Sequence, residues 1–191
     1  MEVMDAIKTR RSIRKYKTTP VDDKTLGLVM EAARWAPSWA NRQCCRFVVV
    51  RDSNIKSKLA GSLTKVEIEG TLVNNRSVEA IRSAPVVIVA CAELGKSGYM
   101  FGKPATDKGD FWYMYDVALA MQNLALAAHS LGLGTINIGA VDAKKVASIL
   151  GIPAGFCAVS ITPLGYPDQE PKVVPRKELS EIVSYDKFGT K

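Results

Sequence analysis

The chain has 191 residues, 47% of them hydrophobic, with 26 Lys plus Arg against 19 Asp plus Glu for a net charge of +7. That length supports a single domain spanning 1–191 with one sizeable core, and the interspersed acids exclude a polyanion-binding face while the modest basic excess favours small anionic ligands. Four cysteines without a C-x-x-C pair and one histidine exclude the usual structural zinc site. No apolar run reaches the ~18 residues of a membrane span, and the early acids of Met1–Asp5 do not resemble a secretory signal, so a cytoplasmic protein with reduced thiols is expected.

In chain order, Val3 to Lys8 predicts one or two helical turns with Val3, Ala6 and Ile7 inward, delivering a basic cluster to the helix end. Tyr16 to Pro20 reads as extended. Asp22 or Asp23 is placed to cap a helix whose Leu26, Val29, Met30 and Ala33 share one face, and Pro37 stops it. A polar loop over 36–43 then leads into a strand at Cys45–Val50, in which alternation would send Cys44 and Cys45 to opposite faces. Asn54–Leu63 and Ser77–Ser83 predict short helices, with Val66–Asn75 ambiguous between them. Pro85–Ala92 is apolar and β-branched throughout, the pattern of a central buried strand.

The segment from Gly95 to Tyr115 carries six aromatic residues, which either cover a planar ligand or fill a core, and composition favours core filling, since aromatics gain most from burial. Asp116–Leu131 has almost no charge on any face, which predicts a helix buried all round, in part at a subunit interface, with Gly132 at its C-terminal cap. Gly134–Ile138 reads as a short extended segment and Asp142 as the cap of a helix over Lys144–Leu150, ended by Pro153. Ala158–Leu164 alternates as a strand. After Gly165-Tyr166-Pro167 comes a charged tail with Arg176, Lys177 and a last short helix over Leu179–Val183.

The chemistry-bearing stretch is Thr9-Arg10-Arg11-Ser12-Ile13-Arg14-Lys15-Tyr16. Guanidinium forks match phosphate oxygens bidentately, so this run fits a phosphate site, or else a solvated basic face at a helix end. Gly132, Gly134 and Gly139 imitate a dinucleotide fingerprint, but position 137 is Asn137 and the segment follows a helix, which excludes that motif. No nucleophile elbow, zinc-protease or P-loop motif is present, and His129 reads as a satisfied imidazole in a buried helix. Anion donors without a nucleophile or metal set suit chemistry carried by a bound phosphorylated cofactor.

The ordered combination of Arg10-Arg11-Ser12-Ile13-Arg14-Lys15-Tyr16, Ala36-Pro37-Ser38 with Asn41 and Gln43, Gln122-Asn123-Leu124, Gly132-Leu133-Gly134, Leu164-Gly165-Tyr166-Pro167 and Pro175-Arg176-Lys177 resembles the nitroreductase family of FMN-dependent oxidoreductases. The resemblance implies an α+β fold of three layers, a mainly antiparallel sheet flanked by helices, in an intertwined homodimer with flavin sites at the interface. It implies that Arg10, Arg11, Ser12 and Arg14 hold the phosphate and ribityl chain, with Arg176 or Lys177 closing the site. Pro37, Ser38, Asn41 and Gln43 are expected from the partner, and Asn137, Ile138, Gly139 and Ala140 along the flavin ring, the Gly139 N–H facing N5. NAD(P)H is the implied co-substrate and nitroaromatics, quinones or similar small molecules the acceptors, with no nucleic-acid or membrane partner. Reductive dehalogenation or flavin fragmentation on the same scaffold is the enzymatic alternative, and a basic nucleic-acid-binding module the remote one. The chain departs from many members in having Cys44-Cys45 where Pro-Trp stands, and Gly139 where some have an acid.

Overall fold

The apolar run that begins after Pro85 becomes the second strand of a four-stranded antiparallel sheet, buried on both faces. The structure is a computed structural model and describes residues 1–190. In order the elements are α1 (Val3–Thr9), α2 (Asp23–Arg34), β1 (Cys45–Val50), α3 (Ser53–Ala60), β2 (Val66–Ile68), β3 (Thr71–Val73), α4 (Val78–Ser83) and β4 (Val86–Glu93). There follow β5 (Tyr99–Met100), β6 (Lys103–Pro104), α5 (Trp112–Ser130), β7 (Gly134–Thr135), α6 (Ala143–Leu150), β8 (Phe156–Gly165) and α7 (Leu179–Ile182).

The main sheet runs β1-β4-β8-β7, every pair antiparallel, with Val48 opposite Val89 and Val89 opposite Ile161. Because side chains alternate along a strand, β4 feeds two cores. Val87 and Val89 pack with Leu59, Ile81 and Val146 from α3, α4 and α6, while Val86, Ile88 and Ala90 pack with Val29, Val117 and Leu124 from α2 and α5. This is the expected three-layer α+β arrangement. Burying each large side chain contributes roughly 1.5–3 kcal/mol, so the sheet is anchored from both sides.

Local signals set the helix starts. Asp22 accepts the Thr25 N–H at 2.8 Å, Asp52 the Ile55 N–H at 2.8 Å and Asp142 the Lys145 N–H at 3.0 Å. Gly151, in the left-handed region at φ 66°, ends α6 before Pro153 is reached. The ambiguous stretch 66–75 is a β2–β3 hairpin.

Several expectations fail. Helix α5 begins four residues early, at Trp112, and within one chain it leaves Met114, Tyr115, Ala118 and Gln122 as an exposed stripe. On α1 only Ala6 is buried, while Val3 and Ile7 face outward because α1 touches the body mainly through α5. Nor does the aromatic segment fill the core, since Phe101, Phe111 and Tyr115 are exposed. Cys44 precedes β1, so strand alternation does not govern it, and its sulfur lies 3.7 Å from the Asp116 carboxylate, while the neighbouring Cys44 and then burial hold the Cys45 thiol above its ordinary range. All four cysteines are free thiols.

Candidate functional site

The basic stretch is fastened to the sheet edge by the backbone. Ser12 bridges Thr135 in parallel fashion and the Ile13 N–H donates to the Thr135 carbonyl at 3.0 Å. Glycine at 134 permits this approach, because a Cβ there would stand 2.5 Å from Ile13 Cγ1. On the other side, Gln169 Oε1 accepts from the Arg14 and Lys15 N–H groups at 2.9 Å each.

Three guanidinium groups gather above this anchor. Burial, and then the neighbouring Arg11 and Arg176, pulls the Arg10 pKa below its ordinary value. Arg11 turns back to the end of α1, its Nη1 donating to the Lys8 and Arg10 carbonyls at 2.6 and 2.8 Å, and its buried Nε has no acceptor. Among the described residues, none of Arg10, Arg11, Arg14 and Arg176 is in a salt bridge. A cavity of about 220 Å³ opens here, lined by Arg10, Arg11, His129, Thr135 and Gln169, with Glu170 as the acidic member. Cations crowded around Arg10, with an orphaned buried N–H on Arg11, fit a phosphate-bearing group.

His129 belongs to this cluster, and not to a buried core. The Thr9 hydroxyl spends its hydrogen on the Asp5 carbonyl at 2.6 Å, so at 2.8 Å it accepts from His129 Nε2–H. Burial, then Arg10 and Arg11, lowers the His129 pKa.

The segment after β7 is pinned by Ile138, which exchanges hydrogen bonds with Ile161 at 2.9 and 3.0 Å. Asn137, Gly139 and Ala140 are exposed, Asn137 Oδ1 accepts from the Thr162 hydroxyl at 2.7 Å, and a Cβ on Gly139 would meet nothing within 4 Å. The Gly139 N–H has no acceptor among the described hydrogen bonds. The Ser12–Thr135 bridge therefore sets the cationic cluster a few residues from an open backbone donor.

Arg14 is placed differently from Arg10. It lines a cavity of about 540 Å³ with Asn74, Asn75, Arg76 and Ser77, residues that sequence reasoning missed although the run Asn74-Asn75-Arg76 offers amide and guanidinium donors. Lys177 is exposed and enters none of the described cavity linings.

The polar loop forms a separate wall. Ala40, Asn41 and Gln43 all have positive φ (42°, 53° and 51°), strain that only a well-determined surrounding sustains. The anchor is Asp116 of α5, 1% exposed, whose carboxylate accepts the Trp39 N–H at 3.0 and 3.2 Å and the Ser97 hydroxyl, with Cys44 Sγ 3.7 Å away. Trp39 packs edge-on against Trp112 at 4.8 Å, and the Ser38 hydroxyl accepts the Gln43 N–H at 2.9 Å. Pro37, Ser38 and Gln43 line a cavity of about 380 Å³ that Asn41 does not share. No described cavity contains both this loop and the Arg10 cluster.

Residues 7–166 match the Nitroreductase family, a span that runs from the end of α1 through β8. The chain belongs to the nitroreductase family. It is similar to a protein of Methanothermobacter thermautotrophicus whose provisional name pairs NADH dehydrogenase with NAD(P)H nitroreductase, 31% identical over 90% of this chain and 80% of that protein. Among solved structures it resembles a nitroreductase family protein of Clostridium novyi NT, at 34% identity and TM-score 0.73, covering 100% of this chain and 96% of that one. It also resembles the NADPH:FMN oxidoreductase of Vibrio harveyi complexed with NAD+, at 26% identity and TM-score 0.82 over 99% of this chain and 79% of that one. In this member of the family the basic stretch, the loop and the Asn137–Ala140 segment fall inside the matched span, whereas Arg176 and Lys177 lie beyond it.

Proposed function

We propose that this nitroreductase is an NAD(P)H-dependent FMN oxidoreductase, working in the cytoplasm as a homodimer with two flavin sites, that reduces nitroaromatics, quinones or similar electron-poor acceptors in two half-reactions at one pocket. The observation that carries the reading is the cluster of Arg10, Arg11 and Arg176, free of salt bridges, on a stretch fastened to Thr135, four residues before Gly139 and its free N–H. In support, no helix among the described residues is long and apolar enough to cross a membrane.

Arg10, Arg11 Nε, Ser12 and Arg176 hold the phosphate, with Arg176 better placed than Lys177 because it already acts on Arg10. Arg14 with Asn74 and Asn75 offers cationic and amide donors to the polar edge of the ring system. Asn137, Ile138, Gly139 and Ala140 supply a flat backbone edge, with the Gly139 N–H as its free donor. Pro37, Ser38, Asn41 and Gln43 share no cavity with the cation cluster of their own chain, which suits their closing the site on a second copy.

Bound FMN supplies the hydride chemistry, accepting from the dinucleotide and giving to the acceptor. The protein's part would be binding and field: Arg10 and Arg14 would bring positive charge to the bound group, and the Gly139 N–H would offer it a free backbone donor. No side-chain acid or base is required. The purified protein is expected to take up FMN, show a flavin spectrum that NADH or NADPH bleaches anaerobically, and regain it with a nitroaromatic or quinone. Protein that binds no FMN and oxidises neither dinucleotide refutes the reading.

A further inference from the structure

Beyond the cation cluster, a cavity of about 310 Å³ opens between the strained loop and the β5–β6 hairpin, with Asn41 and Arg42 on one wall and Lys96, Tyr99 and Phe101 on the other. Both charged residues lining it are cations. Arg42 is in no salt bridge among the described residues, and Lys96 shares Glu93 with Arg46, at 2.9 and 3.1 Å, so that one carboxylate faces two cations. Asp110, the other carboxylate nearby, accepts the Tyr99 hydroxyl, which fixes that ring.

Phe101 is the unusual member. It occupies the first position of a two-residue hairpin turn, at φ 49°, with Gly102 following at φ 74°. Such turns favour Asn, Asp or Gly, and a bulky residue at positive φ is strained. Its side chain is 94% exposed, so the ring contributes nothing to this chain's core. An aromatic held where it costs backbone strain and gains no burial has its use in binding.

We propose that this cavity is the subsite for the anionic arm of a planar aromatic acceptor, the ring stacking on Phe101 and Tyr99 and a carboxylate or sulfonate held by Arg42 and Lys96. The proposal rests on the reading above, because it needs Asn41 to border the flavin. It assigns to Arg42 and Phe101 a role in choosing acceptors and no role in hydride transfer.

The test compares 4-nitrobenzoate with neutral 4-nitrobenzyl alcohol as acceptors for the FMN-loaded enzyme. Arg42→Ala is expected to lower kcat/KM for the benzoate about tenfold while changing the alcohol less than about twofold, with Arg42→Lys recovering part of the loss. Phe101→Ala is expected to weaken both acceptors. Calorimetric binding of naphthalene-2-sulfonate, which undergoes no reduction, is expected to weaken about tenfold in Arg42→Ala without any turnover. Equal losses for both acceptors in Arg42→Ala, a loss in either variant confined to KM for NADH or NADPH, or an altered mass by light scattering in Phe101→Ala overturns the proposal. Absence of FMN uptake by the parent protein instead strikes the flavin reading, and the sulfonate titration keeps the two failures apart.

Discussion

The strained loop depends on one carboxylate, and its removal has a calculable effect. Asp116 is 1% exposed and accepts the Trp39 N–H and the Ser97 hydroxyl, with no cation in a salt bridge to it. Asp116→Ala strands both donors away from water, and each unsatisfied buried donor costs about 1–3 kcal/mol, so the loss centres on roughly 4 kcal/mol. For a chain of this size 1 kcal/mol moves the melting point by roughly 2–4 °C, which places the expected fall at about 8–16 °C. Asp116→Asn keeps a carbonyl for one donor while turning an amide towards the other, and should lose about half as much. Thermal unfolding at fixed protein concentration measures this, since any dimer makes the midpoint concentration-dependent. An FMN titration of the folded variants follows loosening of the segment that carries Ser38 and Asn41. An Asp116→Ala protein melting within about 2 °C of the parent refutes the view that this carboxylate anchors the loop.

Three further expectations concern the cation cluster. His129 is the sole histidine, so one imidazole resonance reports its titration: its pKa lies below the ordinary value, and inorganic phosphate or FMN should raise it by neutralising Arg10 and Arg11. Because the folded pKa is depressed, this histidine stabilises the fold fully above about pH 6.5 and progressively less as pH falls through the folded value, a dependence that His129→Gln should flatten. Arg10→Ala and Arg176→Ala should each weaken FMN binding by roughly tenfold to a hundredfold, read by flavin fluorescence, whereas Lys177→Ala should change it less than about threefold. Gly134→Ala forces a methyl to within 2.5 Å of Ile13 Cγ1, so it should cost about 1–3 kcal/mol in denaturant unfolding and weaken FMN, because the same contact holds Arg10 and Ser12 in place.

What the sequence disclosed follows from how far each signal reaches. Caps and buried strands are written in a few neighbouring residues, and Asp22, Asp142 and the run Val86–Ala92 were legible for that reason. The basic stretch was legible as a cluster of cations, and its expected role toward a phosphate, with Arg176 or Lys177 closing the site, came from the family resemblance alone. Arg14 facing Asn74 and Asn75 was not legible, because that cavity exists only once the β2–β3 hairpin docks, and no local pattern encodes the docking. Composition likewise failed for Phe101 and Phe111: an aromatic ring records a large apolar surface without recording what covers it.

The remaining misreadings share a direction. Val3 and Ile7 of α1 and Tyr115 of α5 were expected inside and stand outside, and Met114 of α5 and Leu179 and Ile182 of the tail are exposed as well. Helical periodicity reports the burial that a sequence was selected for, and that burial belongs to the assembled protein. Exposed apolar residues scattered singly carry no such message, but here they occupy the stripe of α5, the outer side of α1 and an arm running from Pro171 to Thr190 that is exposed throughout. In the homodimer proposed above, a second copy laid against those surfaces would account for them together and would bring another chain's Ser38 and Asn41 to the cation cluster that their own chain keeps apart from them. A homodimer that completes the proposed flavin site would thus also explain why a pattern written for two chains misleads when read for one.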